Sequence, residues 1–579
     1  MRRFLIGVTS LFLALLACRA FSLTPATPTP QPPTATATAT PPPTLTNTPT
    51  STATALPPTR TAIPASPTPT VLDFELLLHP DGGLFVGDQV SFEVLPPSEL
   101  DLQDATLRIE LPQEAMLEAR FFPFGIAGRN QATLFWGWDT TGLEAGAQSL
   151  TFSIQPLGYT WTQTITLAAA AELPVPEPLA HWTTSESDCC LFYYISETAA
   201  AREITATLAL ADQQAAHAMA VLGDEFSEPL VITLMPRVLG QGGFATNEMY
   251  ISFLDRNYAG NDFGMVLHHE MVHVLDQRLG GNLRPTILIE GLAVYLSGGH
   301  YKPEALAPRA AALLAPAQRA DGLGLGWYLP LTELANDFYQ SQHEIGYIQA
   351  GALVEYLVDT WGWESFSAFY RDIQPVDGGG QAAALDAALQ AHFGRNLADL
   401  ETDFVAMLQA QPITPETVAD VRLTVTFFEV MRRYQQALDP SAYYLTAWLP
   451  DGPMMRERGI VADLLRHPAM LENLALETLL VAADAAMDGG DVDLGAQALD
   501  AVGAVLDALE AGAETPFAAN PLAQAHFELA QLVAELGYTA EKIEVGDESA
   551  RVIASQGWPE LTVFEFKRVN GDWRLAQGE

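Results

Sequence analysis

The stretch Val266-Leu267-His268-His269-Glu270-Met271-Val272-His273-Val274-Leu275-Asp276 decides how the rest of the chain is read. His269 and His273 are spaced i, i+4, so on a helix they lie one turn apart on one face and both imidazoles can reach a single Zn²⁺. Glu270, beside the first of them, is then placed to meet a water at that ion. In a chain with eleven histidines such a pattern arises by chance in about one sequence in a hundred. Its surroundings therefore have to support it.

They do so in two places. Asn261 and Asp262 offer an N-cap, the body from Met265 to Leu279 is apolar nearly all round, and Gly280-Gly281 ends the helix. A helix apolar on every face is buried, so His269, Glu270, His273 and Asp276 are polar groups in a core and need partners or a metal. Asp276 is read as a surface carboxylate at the helix end in preference to an orienting partner for an imidazole, and His268 as a bystander. Further on, Pro285-Thr-Ile-Leu-Ile-Glu-Gly-Leu-Ala-Val-Tyr-Leu-Ser-Gly298 predicts a second helix opened by Pro285, with Glu290 its only charge and Gly291 and Ala293 allowing close packing. The interval between His273 and Glu290 lets the first helix end, a loop turn and the second helix lie across it. The expected ligand set is His269, His273 and Glu290, with a fourth position open to water.

The 579 residues allow three or four domains. Lys plus Arg total 28 against 70 Asp plus Glu, a formal charge of −42, which argues against nucleic acid as a partner. Three cysteines, Cys18, Cys189 and Cys190, exclude a disulfide framework and a cysteine zinc ribbon. Cys189-Cys190 reads as two small buried hydrophobes in preference to a vicinal disulfide.

Arg2-Arg3 and the apolar stretch from Phe4 to Ala17 form a signal peptide, too short for an ordinary membrane span. Its end, Leu15-Leu16-Ala17-Cys18, resembles a bacterial lipobox, which implies cleavage before Cys18 and lipidation of that thiol. A plain secretory signal cut near Ala20 is the alternative. Residues 18–70, mostly Thr, Pro, Ala and Ser, form an extended linker that cannot bury a core. Residues 71–174 carry short β-rich runs between Pro, Gly and Asp turns, namely 74–78, 89–95, 105–111, 131–138, 148–155 and 160–167. They predict an antiparallel β-sandwich, and Trp136 to Ile154 resembles the strand, turn and strand of bacterial immunoglobulin-like repeats.

An α+β region follows from residue 175. Strands are expected at Leu191–Ile195, Leu230–Met235 and Ala245–Phe253, with an Ala-rich helix over Glu197–Leu222. Over residues 175–410 the sequence resembles the gluzincin metallopeptidases, the clan of thermolysin and aminopeptidase N, and in particular the peptidase-MA-like domains. The residues that carry this are His268-His-Glu-Met-Val-His273, Ile289-Glu-Gly-Leu-Ala293, Tyr347-Ile-Gln-Ala-Gly-Ala-Leu-Val-Glu-Tyr-Leu-Val-Asp-Thr-Trp-Gly362 and Gly394-Arg-Asn-Leu-Ala-Asp-Leu-Glu401. The resemblance implies one Zn²⁺ per chain, Glu270 as general base, and a tyrosine or histidine that steadies the oxyanion. Tyr347 is the matching position, a core tyrosine being its other reading, with His343 and Tyr339 next in line. Ala245 and Tyr250 on the strand before the metal helix are substrate-binding candidates. Asn247-Glu248 is similar to the amine-binding glutamate of aminopeptidases, though the glycine spacing differs.

Residues 411–579 read as helical from Thr414 to Leu536, broken at Pro440 and Gly489-Gly490, and then as a small β-meander. Arg568-Val-Asn-Gly-Asp-Trp573 resembles the closing hairpin of nuclear-transport-factor-like domains. The expectation is a membrane-tethered, extracytoplasmic zinc metallopeptidase, an endopeptidase rather than an aminopeptidase, acting on a protein or peptide and anchored to the lipid bilayer through Cys18. The alternative is a non-catalytic surface binding or adhesion lipoprotein that uses the peptidase fold as a scaffold.

Overall fold

The computed structural model describes residues 74–576 apart from 98–99, 101, 103–104, 113–114, 125–128, 239–241, 247, 261, 280, 440, 443–450 and 557–559. The signal peptide, Cys18 and the Thr/Pro linker lie outside the described residues, as do Asn247, Asn261, Gly280 and Pro440.

Alternating residues between tight turns produce the first nine strands: β1 (Glu75–His79), β2 (Leu84–Phe85), β3 (Gln89–Leu95), β4 (Thr106–Glu110), β5 (Met116–Arg120), β6 (Phe122–Phe124), β7 (Arg129–Asp139), β8 (Gly146–Gln155) and β9 (Tyr159–Ala168). They form two sheets, ordered β1-β3-β7-β6 and β2-β9-β8-β4-β5. Phe92 and Val94 of β3 and Phe152 and Ile154 of β8 meet in one buried core, so each sheet covers the apolar face of the other. All six expected runs are strands; β2, β5 and β6 add to them.

Next come β10 (Trp182–Glu186), β11 (Cys190–Ile195), helix α1 (Ala199–Leu222), β12 (Leu230–Met235), β13 (Gly243–Ala245) and β14 (Met249–Ser252). The sheet runs β10-β11-β12-β14-β13, parallel in its middle and antiparallel at both edges. Parallel β11 and β12 need a crossover, and α1 supplies it. Two expectations are corrected here. Ala245–Phe253 is not one strand: β13 ends at Ala245, β14 begins at Met249 and the two pair antiparallel, so β13 is a separate edge strand. Cys189 and Cys190 are joined in a vicinal disulfide; the residue names cannot distinguish this from two buried thiols, because the backbone geometry between them decides it.

Helices α2 (Phe263–Leu279), α3 (Thr286–Ser297), α4 (Leu306–Ala312), α5 (Leu331–Asn336), α6 (His343–Trp361), α7 (Trp363–Arg371), α8 (Gly380–Phe393) and α9 (Leu397–Ala410) complete this region. Ile232, Leu234, Met249 and Ile251 on one sheet face share a core with Leu267, Met271 and Leu275 of α2. Pro285 is the N-cap of α3. Gly291 lets α3 press against α6: a Cβ there would stand 2.5 Å from the Ala350 carbonyl oxygen.

Helix α10 (Pro415–Leu438) belongs to two cores. Val421 and Val425 pack with the core around α2 and α3, whereas Phe427 and Met431 pack with the later helices. Then come α11 (Gly452–Arg458), α12 (Ala462–Leu465), α13 (Leu471–Asp488), α14 (Val492–Glu510) and α15 (Pro521–Glu535), followed by a meander β15 (Thr539–Val545), β16 (Ser549–Ser555), β17 (Leu561–Val569) and β18 (Asp572–Leu575). Asn570 and Gly571, both at positive φ, make the β17–β18 turn.

The segment holding α11 and α12 covers the other face of the central sheet, where Met235 and Tyr250 pack with Met455 and Ile460. It also grips the sandwich. Arg466 reaches both Asp88 oxygens at 2.7 Å and Glu177 at 2.6 and 2.7 Å, and Trp136 Nε1 donates to Asp463 at 2.6 Å. Among the described residues no helix is long and apolar enough to cross a membrane.

Candidate metal centre

On α2 the i, i+4 spacing sets the His269 and His273 rings 4.6 Å apart, edge to face. α3 crosses so that Glu290 Oε2 stands 3.4 Å from His269 Nε2 and 3.3 Å from His273 Nε2. The potential ligand atoms of the three residues all lie within 4.8 Å of one another. Two imidazoles and one carboxylate with room for a further ligand is a donor set that suits zinc. Glu270 Oε2 and His273 Nδ1 are buried without a hydrogen-bond partner, and a buried, unpartnered carboxylate oxygen beside three converging ligand groups fits a site built to work on something it holds. These residues therefore fit the ion that the motif implies.

A second cluster, Asp439, His467 and Glu477, is equally close but does not fit a cation. Arg237 donates to both Asp439 oxygens at 2.8 and 2.9 Å, while Arg256 and Tyr434 take up Glu477. Its negative charge is already matched by guanidinium, which would repel a metal.

Electrostatics separates the two histidines. Burial drives His269 down to about 4, so its imidazole is neutral. For His273 burial acts the same way, but the Glu290 carboxylate outweighs it and pushes the group up to about 9. Glu290 itself is held well below the usual carboxylate range, because the two imidazoles overcome its burial. Burial pushes Glu270 up to about 7, against the pull of His273. A metal ion must displace the His273 proton, so zinc affinity should rise about tenfold per pH unit below about 9 and level off above it. Calorimetric titration in buffers of different ionisation enthalpy should show roughly one proton released at pH 7; affinity independent of pH would contradict this account of His273.

The cleft is lined by Gly243, Met265, Val266, His269, Glu270, Gly299, His300, His343 and Tyr347. Tyr347 lines the cleft, with its ring 6.2 Å from that of His269. His343 also reaches the cleft, and its buried Nε2 has no partner. Tyr339, from the short turn Phe338–Gln340, donates to Glu290 Oε1 at 2.6 Å. His300 was not singled out from sequence. Its Nδ1 lies 2.5 Å from Glu344 Oε2, and its ring stacks on Tyr347 at 4.3 Å. Glu344 is fully buried and interacts with Arg309. No spacing rule links positions 300, 309 and 344; the one local sign was a histidine after Gly298-Gly299 in an apolar setting.

Two sequence expectations change. Asp276 is not at the surface: it is fully buried and accepts from Arg284 at 2.6 Å and Tyr370 at 2.9 Å, partners the sequence did not reveal. Tyr250 does not reach the cleft. Strand alternation turns it to the opposite sheet face from Met249 and Ile251, where it bonds Glu248 and accepts from the Gly452 amide at 2.9 Å. Glu248 shares that environment and is paired with Arg456 at 2.9 Å. Ala245 does lie on the edge strand: β13 has only β14 beside it among the described residues, and Gly243 on the same strand lines the cleft. His268 is buried, bonded to Gln214 and outside the ligand set.

No protein-family model matches the chain, and no curated protein matches it. Among solved structures that do match is an aminopeptidase N family protein from Idiomarina loihiensis, at 9% identity over 58% of this chain and 76% of that one, with a TM-score of 0.26. A superposition so loose carries no inference about activity.

Proposed function

We propose that this chain is a zinc-dependent peptidase that cleaves within peptide chains. The observation that carries this reading is the convergence of His269, His273 and Glu290 beside a buried, unpartnered Glu270 oxygen. Zinc, when bound, supplies Lewis acidity that polarises a carbonyl and lowers the pKa of water. The protein supplies the rest. Glu270, with a pKa near 7, suits both halves of general acid–base work: Oε2 accepts a proton from the attacking water and later returns it to the departing amine. Tyr347 and His300 form the facing wall, where an O–H and an N–H can donate to a carbonyl oxygen as it gains charge. Glu344 orients His300 as a buried carboxylate orients an imidazole elsewhere. The outer edge of β13 would offer backbone groups at Gly243 and Ala245 to an extended substrate.

Cleavage inside a chain is favoured over removal of N-terminal residues because Glu248, the candidate for gripping a terminal amine, faces away from the cleft and is neutralised by Arg456. Lipidation at Cys18 and an extended Thr/Pro segment would present the enzyme outside the cell membrane. A Cys18→Ser variant should then leave the membrane fraction.

The test uses residues 71–579, purified and assayed for zinc, casein hydrolysis and cleavage of N-blocked peptides. One zinc per chain, with hydrolysis abolished by a chelator and restored by zinc, is expected. Bound zinc without turnover on any unfolded protein would favour the non-catalytic scaffold, and turnover confined to unblocked N-termini would reverse the choice between endo- and exopeptidase. His300→Ala and Tyr347→Phe should each lower kcat by about 10²–10³-fold with KM little changed, as expected of donors used mainly in the transition state.

A further inference from the structure

We infer that Tyr339 is a positioning residue for the metal, holding Glu290 so that a single oxygen faces the two imidazoles. The inference rests on the zinc reading of this site. Glu290 is 5% exposed, and its two oxygens have different neighbours. Oε2 faces both histidine Nε2 atoms at 3.3–3.4 Å, whereas Oε1 accepts the Tyr339 phenol at 2.6 Å. A buried carboxylate oxygen left without a donor costs free energy, so swinging Oε1 round to share in ligation would forfeit the Tyr339 bond. The phenol therefore selects one carboxylate rotamer and one ligand oxygen, the role outer partners play at metal sites.

The placement of the tyrosine suggests that this role is separable from folding. Tyr339 is 66% exposed, so most of its ring faces solvent and contributes little to the core; its hydroxyl is what reaches the buried site. Tyr347, half-buried in the core, also interacts with Glu290 but stacks with His300. Of the two phenols, Tyr339 is the more exposed, with its ring edge to face with Phe338 at 5.5 Å. Its sequence neighbour Phe338, 4% exposed, anchors the turn that carries it. Because the turn lies directly before α6, which bears His343 and Tyr347, the residue that orients the third ligand and the wall opposite Glu270 belong to one continuous segment.

The experiment is competitive zinc titration against a chromophoric chelator on wild-type protein and Tyr339→Phe, with thermal unfolding of both proteins metal-free. Wild type should bind one zinc, and Tyr339→Phe should bind it about 10- to 100-fold more weakly, with the metal-free Tm unchanged. A zinc affinity within about twofold of wild type would overturn the inference while leaving the peptidase reading standing. Absence of zinc from the wild type would overturn both. Should the Phe variant also lose metal-free stability, Tyr339→Trp, which keeps an exposed ring and lacks the hydroxyl, replaces it; an unweakened affinity there overturns the inference equally.

Discussion

Glu270→Gln should retain zinc and lose about 10²–10⁴-fold in kcat, the range a general base contributes. The substitution is nearly isosteric, and Glu270 is not among the three converging ligand residues. What it removes is the basicity of one buried oxygen. That oxygen has no hydrogen-bond partner, and burial pushes the group up to about 7, so it exists near neutrality in both the form that accepts a proton and the form that donates one. An amide can do neither. Zinc analysis alongside single-turnover hydrolysis distinguishes this from ligand loss: His273→Ala should release zinc and activity together, whereas Glu270→Gln should separate them. Turnover of Glu270→Gln within about tenfold of wild type would remove Glu270 from the chemistry.

The second large effect is on stability. Arg466→Ala should destabilise the protein by about 3–5 kcal/mol, the cost of breaking a buried ion pair by removing one partner. Arg466 is 3% exposed, and its partners Asp88 and Glu177 are 6% and 9% exposed. Without it, two carboxylates from different parts of the chain are left facing each other with no cation between them. The stack of its guanidinium on Phe85 at 4.9 Å and its bond to the Gly83 carbonyl at 2.9 Å are lost too. Because those contacts join the sandwich to the segment that follows α12, the first transition in denaturant should be release of residues 74–168, detected by limited proteolysis. A loss of only about 1 kcal/mol, typical of an exposed pair, would show that the joint does not depend on Arg466.

The legible parts of the site share one property. His269, Glu270 and His273 occupy one helical turn, and Glu290 is the only charge in an apolar helix, so local periodicity and composition sufficed to nominate them. The same holds for the strands of the sandwich and for the Asn570-Gly571 turn. Asp276 was misplaced because its burial depends on Arg284 and Tyr370, which arrive from other elements. Tyr250 was misplaced for a related reason. Alternation separates it from Met249, but it does not tell which sheet face meets α2 and which meets α11. The antiparallel pairing of β13 with β14 and the link between Cys189 and Cys190 likewise depend on backbone paths that residue types leave open.

By itself the sequence singled out His269, Glu270, His273 and Glu290, the helices that bear them and the strand-rich region ahead of them, because each is written in contacts a few residues apart or in one charge among apolar neighbours. Only the tertiary structure decided that His300 of the cleft wall is bonded to the buried Glu344, that Tyr339 donates to Glu290, that Glu248 is turned away and neutralised, and that Arg466 fastens the sandwich to the segment that follows α12. Those pairings join residues from separate elements, and their energies depend on the low-dielectric interior that exists only once the elements have packed.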